Sequence, residues 1–469
     1  MSPHDTPSPG NPLRIDDRVT VRLDSMAAGG DAVGRHEGLT VFVEYGAPGD
    51  LVEVVIAHAA ATYARAAIER IIEPGPDRVE APCPYFRDCG GCQWQHLDYA
   101  AQVRSKDRVL RDAFARIAGF EPEVVDPPVA MAHPLDVSQL TPWQYRAAAE
   151  YSVAPGGAGQ PPALGFVRAH SREPVAIADC LVQHPLNVQV LRATNEWLAG
   201  HEPGGLWLVK TRTSFAEQRS LVTLVFRAPE EAARGLAQHL ARAVASVAGV
   251  SAVAARDRQQ QHRHLSQHLL GEEFIAEEVA GRRYRMSADT FFQTNPQQAA
   301  RLVELVSGMA QVRPEDTVVD GYSGGGIFLI PLGEAARRAV GIESNPAAAR
   351  DARANARHAG LGNVTVVREK VERALTPAGR VTDGSGRFSV RRAEAVVLDP
   401  PRNGCGRKVV NQVAALMPRA IVMVSCDPAT LARDAAFLAE QGYRARRSVM
   451  VDMFPHTWRV ESVTLFERG

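Results

Sequence analysis

No stretch of this 469-residue chain is apolar for long enough to cross a bilayer, which takes about 20 consecutive apolar residues. The first residues, "MSPHDTPSPGNPLR", lack the apolar segment of a signal peptide and read as a disordered leader over residues 1–13. Charge of either sign is not in excess: Lys+Arg and Asp+Glu are 53 each. That balance speaks against wholesale electrostatic wrapping of nucleic acid, although it leaves room for a local basic groove. Cysteine is sparse, with six in all. In a cytoplasmic chain, the expected location here, such residues bind metal or do chemistry more often than they form disulfides. There is no internal repeat. What remains is an ordinary globular composition, 45% hydrophobic and 23% charged, on a chain too long for one core.

The texture of the sequence changes twice. Over residues 14–74, short alternating runs ("DRVTVRLDSM", "LTVFVEY", "DLVEVVIAH", "ARAAIERII") are separated by glycine-rich turns. This spacing predicts a small β-barrel. After the linker "PGPDRVEAPC", residues 75–285 mix strand-like runs with one clear helix, "EEAARGLAQHLARAVASVAG", and a hairpin loop, "GGAGQPPA", as in an α+β domain. Over residues 286–469 strands alternate with helices, which implies a mostly parallel sheet covered on both faces. One segment, "PAGRVTDGSGRFSVRR", interrupts the alternation and is expected to be a surface loop.

Five constellations carry possible chemistry. In "VVDGYSGGGIFLIPLG" a strand ends at Asp320, a glycine turn follows, and a helix opens near Ile327. Glu343 ends the next strand some twenty residues on, placed to bind a ribose, so the pair fits a dinucleotide or S-adenosylmethionine. In "VVLDPPRNGCG" Asp399 ends a strand and two prolines stiffen its exit. In "AIVMVSCDPATLARD" Cys426 follows a strand and precedes a helix with Asp427 as N-cap and Pro428 at N1. A thiol at a helix N-terminus is an activated nucleophile, although a lone cysteine is more often a small buried hydrophobe. In "CPYFRDCGGCQWQH", Cys83, Cys89 and Cys92 share one tight loop, and "IADCLVQHP" supplies Cys180 as a fourth ligand for a cubane cluster or a zinc ion. Last, Glu461 in "HTWRVESVTLF" is either a base inside a crevice or an exposed strand residue.

Taken in order, these motifs resemble the RNA uridine C5-methyltransferases, and most of all the 23S rRNA branch that carries an iron–sulfur cluster. The likeness covers nearly the whole chain after the leader, including "FFQTNP", the glycine loop, "GIE", "DPPR", "SCDPATLARD" and "HTWRVES". It implies a multidomain fold: an N-terminal TRAM/OB-like barrel, a central α+β domain and a C-terminal α/β Rossmann-like methyltransferase domain. It also implies Cys426 as the nucleophile that adds to C6 of a flipped uracil and Glu461 as the base that removes the C5 proton. Gln293, Tyr322, Gly324, Glu343 and Asp399 would contact S-adenosylmethionine. Cys83, Cys89, Cys92 and Cys180 would hold a 4Fe–4S cluster with a structural or RNA-binding role. Arg146 would touch RNA, with 23S rRNA favoured over tRNA. No membrane or obligate protein partner is implied, and a monomer is expected.

The chain departs from the family pattern at Ser323, where a Cys is common, and at Ile327 and Lys370, where polar cofactor contacts are usual. Other readings fit less well. A cytosine C5-methyltransferase would carry a second Cys directly after Pro401, where this chain has Arg402, and Cys405 is expected to pack at a helix start instead. A TRAM-bearing radical enzyme would space three cysteines differently. A catalytically silent RNA-binding protein of the same fold is the alternative from another functional class.

Overall fold

A computed structural model describes residues 13–119, 125–131, 142–157, 159–227, 232–255, 257, 266–383, 385 and 388–469. The leader expected over residues 1–13 lies outside them except for Leu13, which is 5% exposed and belongs to a hydrophobic core. The chain forms two compact units, residues 1–111 with 454–459, and residues 112–453 with 460–469.

In the first unit β1 (Arg18–Met26), β2 (Ala32–His36), β3 (Leu39–Val43), β4 (Leu51–Ala59) and β5 (Tyr63–Glu73) close into a barrel in the order β1-β2-β3-β5-β4. Alternation puts Val52, Val54 and Ile56 of β4 inside, all at 0% exposure, and closure leaves no open sheet edge. Asp50, fully buried, ties the following chain to the barrel. Its carboxylate pairs with Arg78 (2.6 Å) and accepts the N–H groups of Ala47 and Gly75 (2.7 Å each). Helix α1 (Tyr99–Ala113) then follows.

Residues Phe454–Arg459 complete this unit from the far end of the sequence. The His456 carbonyl accepts the N–H groups of Gln93 and Trp94 (2.9 Å each), and its own N–H donates to Gln102 Oε1 (2.7 Å). Lys106 Nζ donates to the Phe454 carbonyl (2.8 Å). Trp458 packs so closely on Gly30 that a Cβ there would lie 2.9 Å from the indole, and Gly30 has φ +105°.

The second unit begins with a seven-stranded sheet of β6 (Ala148–Ala154), β7 (Ala163–Val167), β8 (Pro174–Ala176), β9 (Leu206–Ser214), β10 (Arg219–Phe226), β11 (Val247–Ala254) and β12 (Gln267–Gly271). Helices α2 (Pro185–Gly200) and α3 (Ala232–Ala243) pack on it and on each other. The expected hairpin loop is there, since Ala154 pairs with Ala163. The expected long helix is shorter than its pattern. It ends at Ala243, and Val247 onward becomes β11, paired in parallel with β10. A two-residue turn, Ala280 and Gly281 with φ +49° and +72°, joins β13 (Phe274–Val279) to β14 (Arg282–Ser287).

Helix α4 (Pro296–Ala310) leads into the doubly wound part: β15 (Thr317–Gly321), α5 (Leu329–Ala335), β16 (Arg338–Ile342), α6 (Pro346–His358), β17 (Val364–Val367) and α7 (Val371–Ala374). The interrupting segment is not a plain loop. Its β19 (Arg380–Thr382) and β20 (Ser389–Val390) join β18 (Leu375–Thr376), which directly precedes it, in a small antiparallel sheet. The chain continues with β21 (Ala395–Leu398), α8 (Gly406–Ala414), β22 (Ala420–Ser425), α9 (Pro428–Glu440), β23 (Tyr443–Val451) and β24 (Glu461–Arg468). The sheet order is β17-β16-β15-β21-β22-β24-β23, with β24 antiparallel between β22 and β23. Strand order reverses between β15 and β21, where such sheets open a ligand crevice at their carboxyl ends.

Candidate active site

Each strand around that reversal delivers one predicted residue to the carboxyl edge. In spatial order these are Glu343 after β16, Tyr322 after β15, Asp399 after β21, Cys426 after β22, and Glu461 at the start of antiparallel β24. The β22–β24 ladder ends with Ser425 paired to Ser462, and Cys426 and Glu461 are the next residue of each strand at that end. Glu461 is 4% exposed, so it is no surface strand residue. Asp427 caps α9 through its side chain, accepting the N–H groups of Ala429 and Thr430 (3.0 Å each), and Pro428 fills N1. Cys426 is thereby fixed, half-buried, between a strand end and a capped helix.

The other half of the edge has the features of a cofactor crevice. Tyr322 turns the chain sharply with φ +66°. Glu343 braces the glycine loop, accepting the N–H groups of Gly324 (2.9 Å) and Asn345 (2.5 Å). Gln293 Nε2 donates to Asp399 Oδ2 (3.3 Å), joining the "FFQTNP" segment to the centre of the edge. Enclosure raises the Asp399 carboxyl to about 7. Burial, then the charges of Asp399 and Glu343, hold the Asp320 carboxyl, at 0% exposure, well above the usual carboxylate range. Among the described residues, neither Asp320 oxygen nor the Ser323 hydroxyl has a hydrogen-bond partner. Such orphaned polar atoms beside a glycine loop suit a polar ligand that supplies the missing contacts.

The departures are placed plainly. Ser323 is buried, Ile327 packs at 9% exposure, and Lys370 is exposed at the start of α7. Cys405 is the N-cap residue of α8, where burial and Asp434 raise its thiol. The Arg146 guanidinium reaches the Ala148 carbonyl (3.2 Å).

All six cysteines are described and none forms a disulfide. On the first unit's loop the Cys89 N–H donates to the Tyr85 carbonyl (2.8 Å), and the Gly91 N–H reaches Cys89 Sγ (3.4 Å). Burial and the nearby Cys83 raise the Cys89 thiol. Among the described residues, no three or more His, Cys, Asp or Glu side chains already stand as a ligand set. In the second unit, Cys180 lies near Tyr151.

Sequence reasoning missed two residues that shape this edge. Asp351, the one acid in the alanine-rich α6, is fully buried. It accepts from Ser287 N and Oγ (2.8 Å each), Thr290 Oγ1 (2.6 Å) and Arg285 Nε (3.0 Å), clamping the segment that leads to Gln293. Phe291, two residues before Gln293, is 63% exposed. Its place in "FFQTNP" was the available signal.

The family described as tRNA (Uracil-5-)-methyltransferase matches residues 205–469, and the TRAM domain matches residues 17–68. The chain belongs to this methyltransferase family. An uncharacterized RNA methyltransferase of Gloeobacter violaceus is 34% identical over 463 residues, 96% of each chain. Another, from Halalkalibacterium halodurans, is 31% identical over 97% of this chain and 98% of its own. The solved tRNA (uracil-54, C5)-methyltransferase of Pyrococcus abyssi, in complex with S-adenosyl-L-homocysteine, is 25% identical with a TM-score of 0.68. That match covers 95% of this chain and 99% of the archaeal one. The family establishes the barrel as a TRAM domain and the activity class as S-adenosylmethionine-dependent methylation of uracil C5 in RNA. Among the described residues, no helix is long and apolar enough to cross a membrane.

Proposed function

We propose that this methyltransferase acts in the cytoplasm on one uridine of 23S rRNA, through a covalent adduct between Cys426 and C6. The observation that supports the reading is that Cys426 and Glu461 are the next residues past Ser425 and Ser462, the last pair of the β22–β24 ladder, one strand from Asp399. S-adenosylmethionine supplies the methyl group. Gln293, Tyr322, Gly324, Glu343 and Asp399 would hold it along the adjoining half of the edge. The Cys426 thiolate adds to C6 of the target base, and the electron pair moves to C5 as an enolate-like carbon, which takes the methyl. Glu461 removes the C5 proton, and elimination breaks the S–C6 bond and releases the product.

Cys83, Cys89, Cys92 and Cys180 would hold a 4Fe–4S cluster, as the thiolate donor set and the curled Cys83–Cys92 loop support. Its contribution would be structural or RNA-binding, with Arg146, whose N–H donates to the Val182 carbonyl (3.0 Å) just past the fourth ligand, an RNA contact. Transfer RNA is the second reading, favoured by the similarity to the archaeal tRNA enzyme.

The test mixes anaerobically purified protein with labelled S-adenosylmethionine and 5-fluorouracil-substituted 23S rRNA fragments or tRNA, beside a Cys426→Ala control. A covalent adduct from the wild type alone is expected, and the trapped RNA names the substrate. Adduct formation by the control would remove Cys426 from its role. An adduct with tRNA only would establish the second reading.

A further inference from the structure

A cavity of about 890 Å³ in the second unit is used by neither the transfer chemistry nor the cysteine loops. Its volume is in the range of sites that enclose a small organic ligand. Trp143, His184 and Phe215 give it aromatic walls, and Gln144, Gln218 and Gln297 add carboxamides. The His184 and Phe215 rings meet edge to face, with centroids 4.5 Å apart. His184 Nδ1 accepts the Leu186 N–H (3.2 Å), and burial lowers the imidazole to about 4, so the ring is neutral. Gln297 Oε1 is buried without a hydrogen-bond partner among the described residues. The one buried carboxylate in the wall, Glu277, is already occupied by the N–H groups of Phe215 (2.7 Å), Ala216 (3.0 Å) and Glu278 (2.9 Å).

Two long helices also start at this wall. Pro185 and Leu186 open α2, and Pro296 and Gln297 open α4. The first N–H groups of these helices are taken, Leu186 by His184 Nδ1 and Gln298 by Asn295 Oδ1 (3.3 Å), so the wall offers aromatic faces and amide edges, which match an extruded base: a ring to stack and an edge to read. Gln297 lies four residues beyond Gln293, whose amide reaches Asp399 at the catalytic edge.

We propose that this cavity is a second nucleotide site, which takes an extruded base of the same RNA a few nucleotides from the target uridine. The proposal rests on the RNA methyltransferase reading above and gives the enzyme a way to choose one uridine among many. A base stacked there is read by the Gln144, Gln218 and Gln297 amides, while the target base occupies the Cys426 crevice.

The test is a binding cycle that does not depend on turnover. The probe is the fluorescein-labelled 23S rRNA or tRNA fragment that the full-length protein binds most tightly, remade with one abasic nucleotide at each position flanking the target. One abasic position should weaken binding roughly tenfold, the effect of losing one base–aromatic stack. Trp143→Ala should weaken the intact fragment by the same factor, and the two changes together should cost no more than either alone. Phe215→Leu, a milder change, should follow Trp143→Ala in direction, with S-adenosylmethionine affinity unchanged in both as the check on folding. Effects that multiply, no sensitive flanking position, or wild-type affinity in Trp143→Ala would overturn the site. Methylation assayed on the same fragments separates the two claims. Activity with an additive cycle removes the cavity, and a coupled cycle without methylation removes the uridine chemistry.

Discussion

Lowering the pH should loosen the TRAM-containing unit through a single histidine. His96 is 2% exposed, and its Nε2–H donates to the Gly46 carbonyl (2.9 Å), while its buried Nδ1 has no partner among the described residues. Protonation would place a new donor and a charge where nothing accepts them. Tyr45 and Phe86 pack against the ring, Arg78 and Arg87 oppose the added charge, and Asp50, which favours it, is already paired with Arg78. Burial first, then these two arginines, lowers the imidazole from 6.5 to about 4. Below pH 6.5 the unfolded chain takes up a proton that the folded unit refuses. Stability from this group is therefore complete above 6.5 and declines by about 1.4 kcal/mol per pH unit toward 4. At pH 5.5 the loss is about 1.4 kcal/mol, roughly a tenfold shift toward the unfolded unit. Hydrogen exchange of β4 peptides in urea, corrected for intrinsic rates, reads this unit alone. His96→Gln keeps a donor toward Gly46 and cannot titrate, so its pH dependence between 7.5 and 5.5 should be flatter by that amount. Equal pH dependence in wild type and variant would refute the account.

Three further outcomes are expected. Glu461→Gln should lower methyl turnover by about 10²–10⁴ and accumulate the methylated protein–RNA adduct on a denaturing gel; normal turnover would remove Glu461 as the base. Asp351→Ala strips one acceptor from Ser287, Thr290 and Arg285, and should cost about 3 kcal/mol in denaturant unfolding while weakening S-adenosylmethionine binding, because the Gln293 segment loses its clamp. Phe291→Ala should weaken RNA binding about tenfold by anisotropy, as the loss of a stacking face would, with cofactor affinity unchanged; an unaltered RNA affinity would make the exposed ring irrelevant to substrate.

Much of the fold was legible because its signals are local. The βαβ alternation after Asp289, the Asp427–Pro428 helix start and the glycine turn after Asp320 each depend on neighbours within a few residues. What local pattern could not give was pairing. Glu461 reads equally well as an exposed strand residue until β24 is seen to slot antiparallel between β22 and β23, which buries it at the end of the sheet where β22 delivers Cys426. The run "VAGVSAVA" extends the helical pattern of α3, yet parallel pairing with β10 makes it β11. The strands of the interrupting segment are two or three residues long, too short for any period to show. Asp351 and the aromatic wall of the cavity are assembled from residues far apart in sequence, so no spacing rule reaches them.

The six residues Phe454–Arg459 make the first unit discontinuous in sequence, and that has a consequence for biosynthesis. The barrel strands are made before these residues, and the His456 and Phe454 backbone groups that Gln102 and Lys106 bind, both side chains at 0% exposure, follow 354 and 348 residues later. Gln102 Nε2 also donates to the Trp94 and Leu97 carbonyls (3.1 and 3.0 Å), which precede it, whereas Gly30 waits for Trp458. The usual order, in which an amino-terminal domain folds while the rest is still being made, is thus suspended here. A nascent chain stopped short of residue 454 would carry an unfinished first unit around its barrel, whereas one that reaches residue 459 closes that unit and, a few residues later, adds the strand that bears Glu461.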